Sequence, residues 1–184
     1  MDKQERYDRT YLRMAKEWAK LSHCARKQVG ALVVKNGMII SDGYNGTPTG
    51  FDNVCELETG ETKWEVIHGE ANAILKCARN GQSCDGATIY QTHSPCKDCS
   101  RLILQSGIKR LVYGEDYKDT AGLDFLRDAG IEITKYDEPT VSTVSTTPSP
   151  TAFPTFEEVS QPPQDRLIKE GQQPTFLGTT KYYK

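Results

Sequence analysis

Two short stretches carry the residue types that do chemistry. HSPCKDCS, residues 93–100, sets Cys96 and Cys99 three apart behind a proline, and HGE, residues 68–70, sets a carboxylate two residues after an imidazole. A cysteine pair at that spacing suits a disulfide, a dithiol redox pair, half of a structural zinc site or two ligands of a catalytic metal. On a helix, positions three apart share a face. Near the helix start the positive end of the backbone dipole lowers thiol pKa and favours thiolate. A redox pair calls for an exposed Cys-x-x-Cys in a thioredoxin-like context, and the preceding order of elements differs from that. A metal site calls for more ligands, and the chain has three histidines, His23, His68 and His93. His93 is near the cysteines but ends a predicted strand, and the direction of its ring is open at this level. His68, Cys96 and Cys99 make three protein ligands. Structural zinc sites usually close with four, whereas catalytic sites leave the fourth position to water. Zinc lowers the pKa of that water to roughly 7, and a nearby carboxylate, Glu70, is the natural proton shuttle.

The pattern of apolar residues indicates the elements that must hold these groups. Tyr7, Tyr11, Met14, Trp18 and Leu21 recur at steps of four and three, marking an amphipathic first helix. VGALVV (29–34) and MIISDGY (38–44) read as strands joined at Asn36-Gly37, residues that tolerate the positive φ of a tight hairpin. HGEANAILKCAR (68–79) reads as a helix with Ala71, Ile74, Leu75 and Ala78 inward, ended by Asn80-Gly81. Strands are predicted at 87–92, 108–113 and 131–136, and helices at 95–106 and over GLDFLRDA. Ser94 is placed to cap the 95–106 helix, with Pro95 at its first position. Strands alternating with helices after an opening hairpin predict an α/β fold, with five strands in a mixed sheet covered by helices on both faces. In such sheets ligands bind beyond the carboxyl ends of the parallel strands, which is where Cys96 follows its strand.

Composition bounds the rest. The chain has 184 residues, 36% hydrophobic, with a net charge of −2 and a mean hydropathy of −0.61. Weak net charge argues against nucleic acid or an anionic membrane as partner. No apolar run is long enough for a bilayer, and the charged N-terminus lacks the apolar core of a signal peptide. A cytoplasmic location is expected, where thiols stay reduced. The six cysteines, Cys24, Cys55, Cys77, Cys84, Cys96 and Cys99, therefore read as packing residues or metal ligands rather than a disulfide framework. Seven of the nine prolines stand at or beyond Pro139, so residues 1–137 are expected to form the folded domain and 138–184 a mostly extended tail rich in Pro, Ser and Thr.

H-x-E with a distant P-C-x-x-C is a signature of zinc nucleobase deaminases, and HGE with PCKDC matches both halves. The segments QVGALVVKNGMIISDGYNGTPTG, HGEANAILKCARNG, YQTHSPCKDCSRLILQSGIKRLVY and GEDYKD together resemble the deoxycytidylate (dCMP) deaminases, chiefly their phage and bacterial members, over about residues 7–137. The resemblance implies the three-layer α/β/α cytidine-deaminase-like fold and hydrolysis of dCMP to dUMP and ammonia. It implies zinc on His68, Cys96 and Cys99, and Glu70 delivering protons to N3 and the leaving amine. Backbone groups near Ala71 and Ser94 are expected at the base edge. Arg26, Lys27, Tyr117 and Lys118 are candidates for the phosphate, and Asn45 for a sugar hydroxyl. The family further implies a homo-hexamer activated by dCTP and inhibited by dTTP with Mg²⁺, with Tyr44, Asn45, Gly46 and Arg79 in the regulatory region. Lys76 stands where some relatives carry phenylalanine. Some relatives hold a second, structural zinc near Cys24, Cys55 and His23. The histidines that complete it are missing here, so a second zinc is not expected. Rival readings are the same chemistry on dCTP, a modified dCMP or a base in tRNA, and a zinc-stabilised module without activity. Glu70 argues against the last, since a structural site has no use for a shuttle.

Overall fold

The computed structural model describes residues 1–137; the tail expected at 138–184 lies outside them. Five strands, β1 (Gly30–Lys35), β2 (Met38–Tyr44), β3 (Thr88–His93), β4 (Arg110–Glu115) and β5 (Glu132–Lys135), form one sheet in the order β2-β1-β3-β4-β5. β1 runs antiparallel to both β2 and β3, while β3, β4 and β5 are mutually parallel. The hairpin is tight: Asn36 and Gly37 have φ of 52° and 75°, and Lys35 pairs with Met38. Four helices complete the domain: α1 (Lys3–Ala19), α2 (Gly69–Arg79), α3 (Lys97–Gln105) and α4 (Ala121–Asp128).

Alternation along the strands divides the core in two. Ala31, Val33, Ile89, Leu111 and Tyr113 face α2, α3 and α4, meeting Ala73, Cys77, Ile103, Leu123 and Leu126. Leu32, Val34, Tyr90 and Val112 face the other way and pack on Ala15 of α1. The result is three layers, helix on sheet on helices, as expected from the sequence.

Both long helices lie closer to the sheet than their apolar spacing suggests. A Cβ on Gly30 would come within 2.1 Å of the Ala15 carbonyl oxygen and 2.6 Å of the Ala19 nitrogen. Close approach at Gly30 demands small residues, met by Ala15 and Ala19, and the same face of α1 buries Asp8 and Leu12. Tyr7, Met14, Trp18 and Leu21, expected to mark its apolar face, are exposed, with only Tyr11 partly packed. The aromatic tips tie the helix to the hairpin instead: Tyr11 donates to the Gly37 carbonyl at 2.8 Å and Trp18 Nε1 to Asp42 at 2.8 Å. Likewise a Cβ on Gly43 would fall 2.2 Å from the Gly69 carbonyl oxygen. α2 therefore turns Gly69, Glu70, Ala73 and Cys77 inward, and Leu75 and Ala78, expected inside, are exposed. Ser94 also differs from its expected role as helix cap. Cys96 stands at the start of α3, and the Ser94 hydroxyl instead accepts the Tyr117 N–H at 2.7 Å.

Cys24 and Cys55 depart from the expectation of reduced packing or ligand cysteines. They form a disulfide with Cα atoms 5.1 Å apart across 31 residues. Cys77, Cys84, Cys96 and Cys99 remain free.

At the end of the sheet where β4 begins, α1 is fastened by charge. Asp8, fully buried, receives two hydrogen bonds from Arg110, at 2.7 and 2.8 Å, and others from Tyr90, Tyr136 and Gln4. Burial raises the Asp8 pKa, but the donors from Arg110, Tyr90 and Gln4 outweigh it, and the net shift is below the ordinary 3.8. A carboxyl whose folded-state pKa is depressed stabilises the fold fully above its unfolded value. That stabilisation is lost as pH falls through the folded value. Asp8→Ala leaves the Arg110 guanidinium without its main partner and is expected to lower stability by about 3–5 kcal/mol at neutral pH. The urea midpoints of wild type and variant should converge in acid; a constant gap down to pH 2 would refute this account.

Candidate metal centre and cavity

The two chemical stretches meet beyond the carboxyl end of β3. His68 sits just before the first turn of α2, in extended backbone, with Glu70 inside that turn. Cys96 holds the equivalent place before α3, and Cys99 lies in its first turn. The His68 Nδ1 atom is 3.5 Å from Cys96 Sγ and 3.4 Å from Cys99 Sγ. All three donor atoms lie within 4.8 Å of one another. A tetrahedral zinc with ordinary Zn–N and Zn–S lengths requires N···S separations of about 3.5–3.6 Å, so the donors stand where the ion needs them. One nitrogen and two sulfurs are also a zinc-type donor set.

Electrostatics suit a cation. The Cys96 pKa is drawn down to about 4, chiefly by its hydrogen bond with Cys99 and then by His68, despite burial. The Cys99 pKa is pushed up, first by its hydrogen bond with Cys96 and then by burial; a bound cation would displace that proton and make Cys99 a thiolate donor. The His68 pKa is raised, first through its hydrogen bond with Cys96. Glu70 is buried, and desolvation pushes its carboxyl above the ordinary carboxylate range. A carboxyl so shifted holds a proton more readily than a surface glutamate does, as a shuttle must.

A cavity of about 510 Å³ opens over these groups, within the range of small-molecule sites. It is lined by His68, Glu70 and Cys96, and by Arg26, Lys27, Asn45, Ser94, Tyr117 and Lys118 among the residues selected from the sequence. Cys99 stands behind this lining, 3% exposed, and the Ala71 side chain is not part of it. Each end of the Asn45 amide is already engaged: its oxygen accepts the Val29 N–H and its nitrogen donates to the Lys27 carbonyl, both at 2.8 Å. Asn45 thus pins the segment that carries Lys27.

Several wall residues carry no signal in the sequence. Glu56 accepts the Arg26 N–H at 3.1 Å and Thr62 accepts from its guanidinium at 3.2 Å. No local pattern links positions 30 or more residues apart. His93 lies in the wall, its ring fixed by Thr92 at 3.0 Å and Glu115 at 3.1 Å. Its two ring nitrogens are therefore engaged away from the cysteines.

A second cavity, of about 410 Å³, adjoins the first through Asn45. It is lined by Tyr44, Asn45 and Gly46 of the expected regulatory stretch and by Asn72 and Lys76 of α2. Lys76 reaches Asp42 at 2.7 Å and lies 5.9 Å from the Tyr44 ring centre. Arg79, in the exposed last turn of α2, lines neither cavity.

This geometry has known counterparts. Residues 5–115 match the model of the cytidine and deoxycytidylate deaminase zinc-binding region, and the chain belongs to that family of enzymes. The deoxycytidylate deaminase of Enterobacteria phage T4 is 40% identical over 167 residues, covering 67% of this chain and 86% of the phage protein. ComE operon protein 2 of Bacillus subtilis is 45% identical over 101 residues, covering 53% of each chain. The crystal structure of dCMP deaminase from cyanophage S-TIM5, in complex with dCMP and dUMP, superposes with a TM-score of 0.70 at 44% identity. It covers 74% of this chain and 99% of that one.

Proposed function

We propose that this protein hydrolyses dCMP to dUMP and ammonia, supplying dUMP for dTTP synthesis. The observation that carries the reading is one cavity joining a three-donor metal centre and a buried carboxylate to a rim bearing Arg26, Lys27 and Lys118. Similarity to phage proteins named deoxycytidylate deaminase supports the choice of substrate. His68, Cys96 and Cys99 hold the zinc, which when bound lowers the pKa of a coordinated water to roughly 7. Glu70 accepts one proton from the attacking water and delivers it to N3 of the cytosine. It then takes the remaining proton from the new C4 hydroxyl and passes it to the amine, which departs as ammonia and leaves the C4 carbonyl. Burial serves this cycle, since desolvation raises the Glu70 pKa and a carboxyl so shifted holds the proton it takes more readily than an exposed one. Backbone groups at Ala71 and Ser94 meet the base edge. Arg26 and Tyr117, with Lys27 and Lys118, receive the phosphate, and Asn45 holds the sugar side of the wall in position. No helix among the described residues is long and apolar enough to cross a membrane, and the proposed location is the cytoplasm.

Regulation belongs to the second cavity, where Tyr44, Asn45 and Gly46 receive dCTP as activator or dTTP as inhibitor, with Mg²⁺, in a homo-hexamer. Arg79 stands one turn beyond Lys76 and outside that cavity, and it enters the scheme through the family resemblance. Arg79→Glu is expected to alter the dCTP and dTTP dose curves while leaving basal turnover within about twofold. Superimposable curves would remove Arg79 from the scheme. The deciding experiment for the function is a deamination assay on dCMP, cytidine, dCTP and a tRNA anticodon loop, with zinc quantified and dTTP present or absent. Turnover of dCMP with one zinc per chain is expected; turnover of the RNA alone would overturn the reading.

A further inference from the structure

The end of the cavity that bears Arg26 and Lys27 is held together by a covalent bond. Arg26 and Lys27 lie in the irregular segment between α1 and β1, and both side chains are exposed. Cys24 precedes Arg26 by two residues, and Cys55 precedes Glu56, the carboxylate that accepts the Arg26 N–H. The Lys63 N–H donates to the Cys55 carbonyl at 2.8 Å, and the Leu57 N–H to the Glu61 carbonyl at 2.8 Å. Thr62, which holds the Arg26 guanidinium, therefore belongs to the same turn as Cys55. Cys24 lines the larger cavity and Cys55 the second one, so the disulfide runs between the two walls.

Exposed hydrogen bonds such as those from Arg26 to Glu56 and Thr62 compete with water and contribute little alone. A cross-link sets the position of the segment before any ligand arrives. It removes an ordering cost that would otherwise be taken from the affinity.

We propose that the Cys24–Cys55 disulfide is a positioning element for the substrate's anionic end, and that a dithiol reductant weakens nucleotide binding while leaving the deamination centre intact. Opening breaks the sulfur–sulfur bond. Two electrons and two protons pass to the pair, giving two thiols, and the dithiol is oxidised to its own disulfide. The assignment rests on the proposed placement of the phosphate at Arg26.

The test compares three preparations of the full chain: oxidised wild type, wild type reduced with dithiothreitol and desalted, and the Cys24→Ser, Cys55→Ser double variant. Zinc and free thiols are counted in each. Oxidised wild type should show four free thiols after denaturation and reduced wild type six, matching the four cysteines outside the bond. KM for dCMP and Kd for dUMP are expected to rise about tenfold in the reduced and doubly substituted proteins. Their kcat on dCMP, and their kcat/KM on deoxycytidine, should stay within about twofold of the oxidised enzyme, because the nucleoside lacks the group that the cross-link serves. Arg26→Ala should reproduce the rise in the oxidised protein and add nothing after reduction. Equal nucleotide affinity in all preparations would overturn the proposal. So would parallel losses on nucleotide and nucleoside, or a second zinc per chain that the double variant loses. Failure of oxidised wild type to turn over dCMP would overturn the proposed function alone; the dUMP affinities would still decide the role of the disulfide.

Discussion

Glu70→Gln is expected to lower kcat for deamination by about a thousandfold while the protein keeps its zinc and its fold. The amide has nearly the shape of the carboxyl, so the first turn of α2 and its packing against β2 are retained. The ability to accept and release a proton is lost. Burial makes the loss severe, because Glu70 is 4% exposed and solvent has little access to take its place. KM should change far less than kcat, since the side chain acts on proton positions that arise during the reaction. Zinc analysis, melting temperature and single-turnover kinetics on the same preparation separate a lost shuttle from a lost metal or a lost fold. A variant with full metal content and wild-type turnover would remove Glu70 from the chemistry.

The second large effect is expected from the ligands. Cys99→Ser replaces a thiolate donor with a hydroxyl that stays protonated, in a site where Cys99 lies 3.4 Å from His68 Nδ1. Zinc content should fall from one per chain towards zero. Activity should fall by at least about 10⁴-fold, because the pKa of the attacking water returns from roughly 7 towards 15.7. Prolonged chelation of the wild-type protein should reach the same end point, and added zinc should restore wild type but not the variant. The melting temperature of the variant guards against simple unfolding. A stable variant that retains stoichiometric zinc and activity would show that Cys99 is not a ligand.

These two effects depend on groups that are legible in the sequence, and other groups are not. HGE and PCKDC each open a helix, so their side chains project from helix starts, and the intervening strand tells which end of the sheet they share. Asn36-Gly37 announces its turn because few residue pairs accept positive φ twice. The inward faces of α1 and α2 are hidden at that level, since exposed aromatics on α1 and the exposed Leu75 and Ala78 on α2 mimic an apolar face. The true inward stripes are chosen by how closely Gly30 and Gly43 let the helices approach. Ser94 reads from the sequence as a cap for the following helix, yet its hydroxyl accepts the Tyr117 N–H from the segment that follows β4. The buried Asp8–Arg110 pair spans 102 positions and leaves no local trace.

What the sequence by itself determined was the reaction type and the frame: three soft and borderline donors, one shuttle carboxyl, and the alternation that places them at the end of a parallel pair of strands. Such information is local, because ligand spacing, helix starts and turn residues act within a few positions of one another. Only the tertiary structure decided which distant partners complete the site. It joined Cys24 to Cys55, gave Arg26 its contacts with Glu56 and Thr62, and turned Asn45 inward to hold the chain. Those contacts follow from how loops cross above a packed sheet, and no period or motif along the chain encodes a crossing.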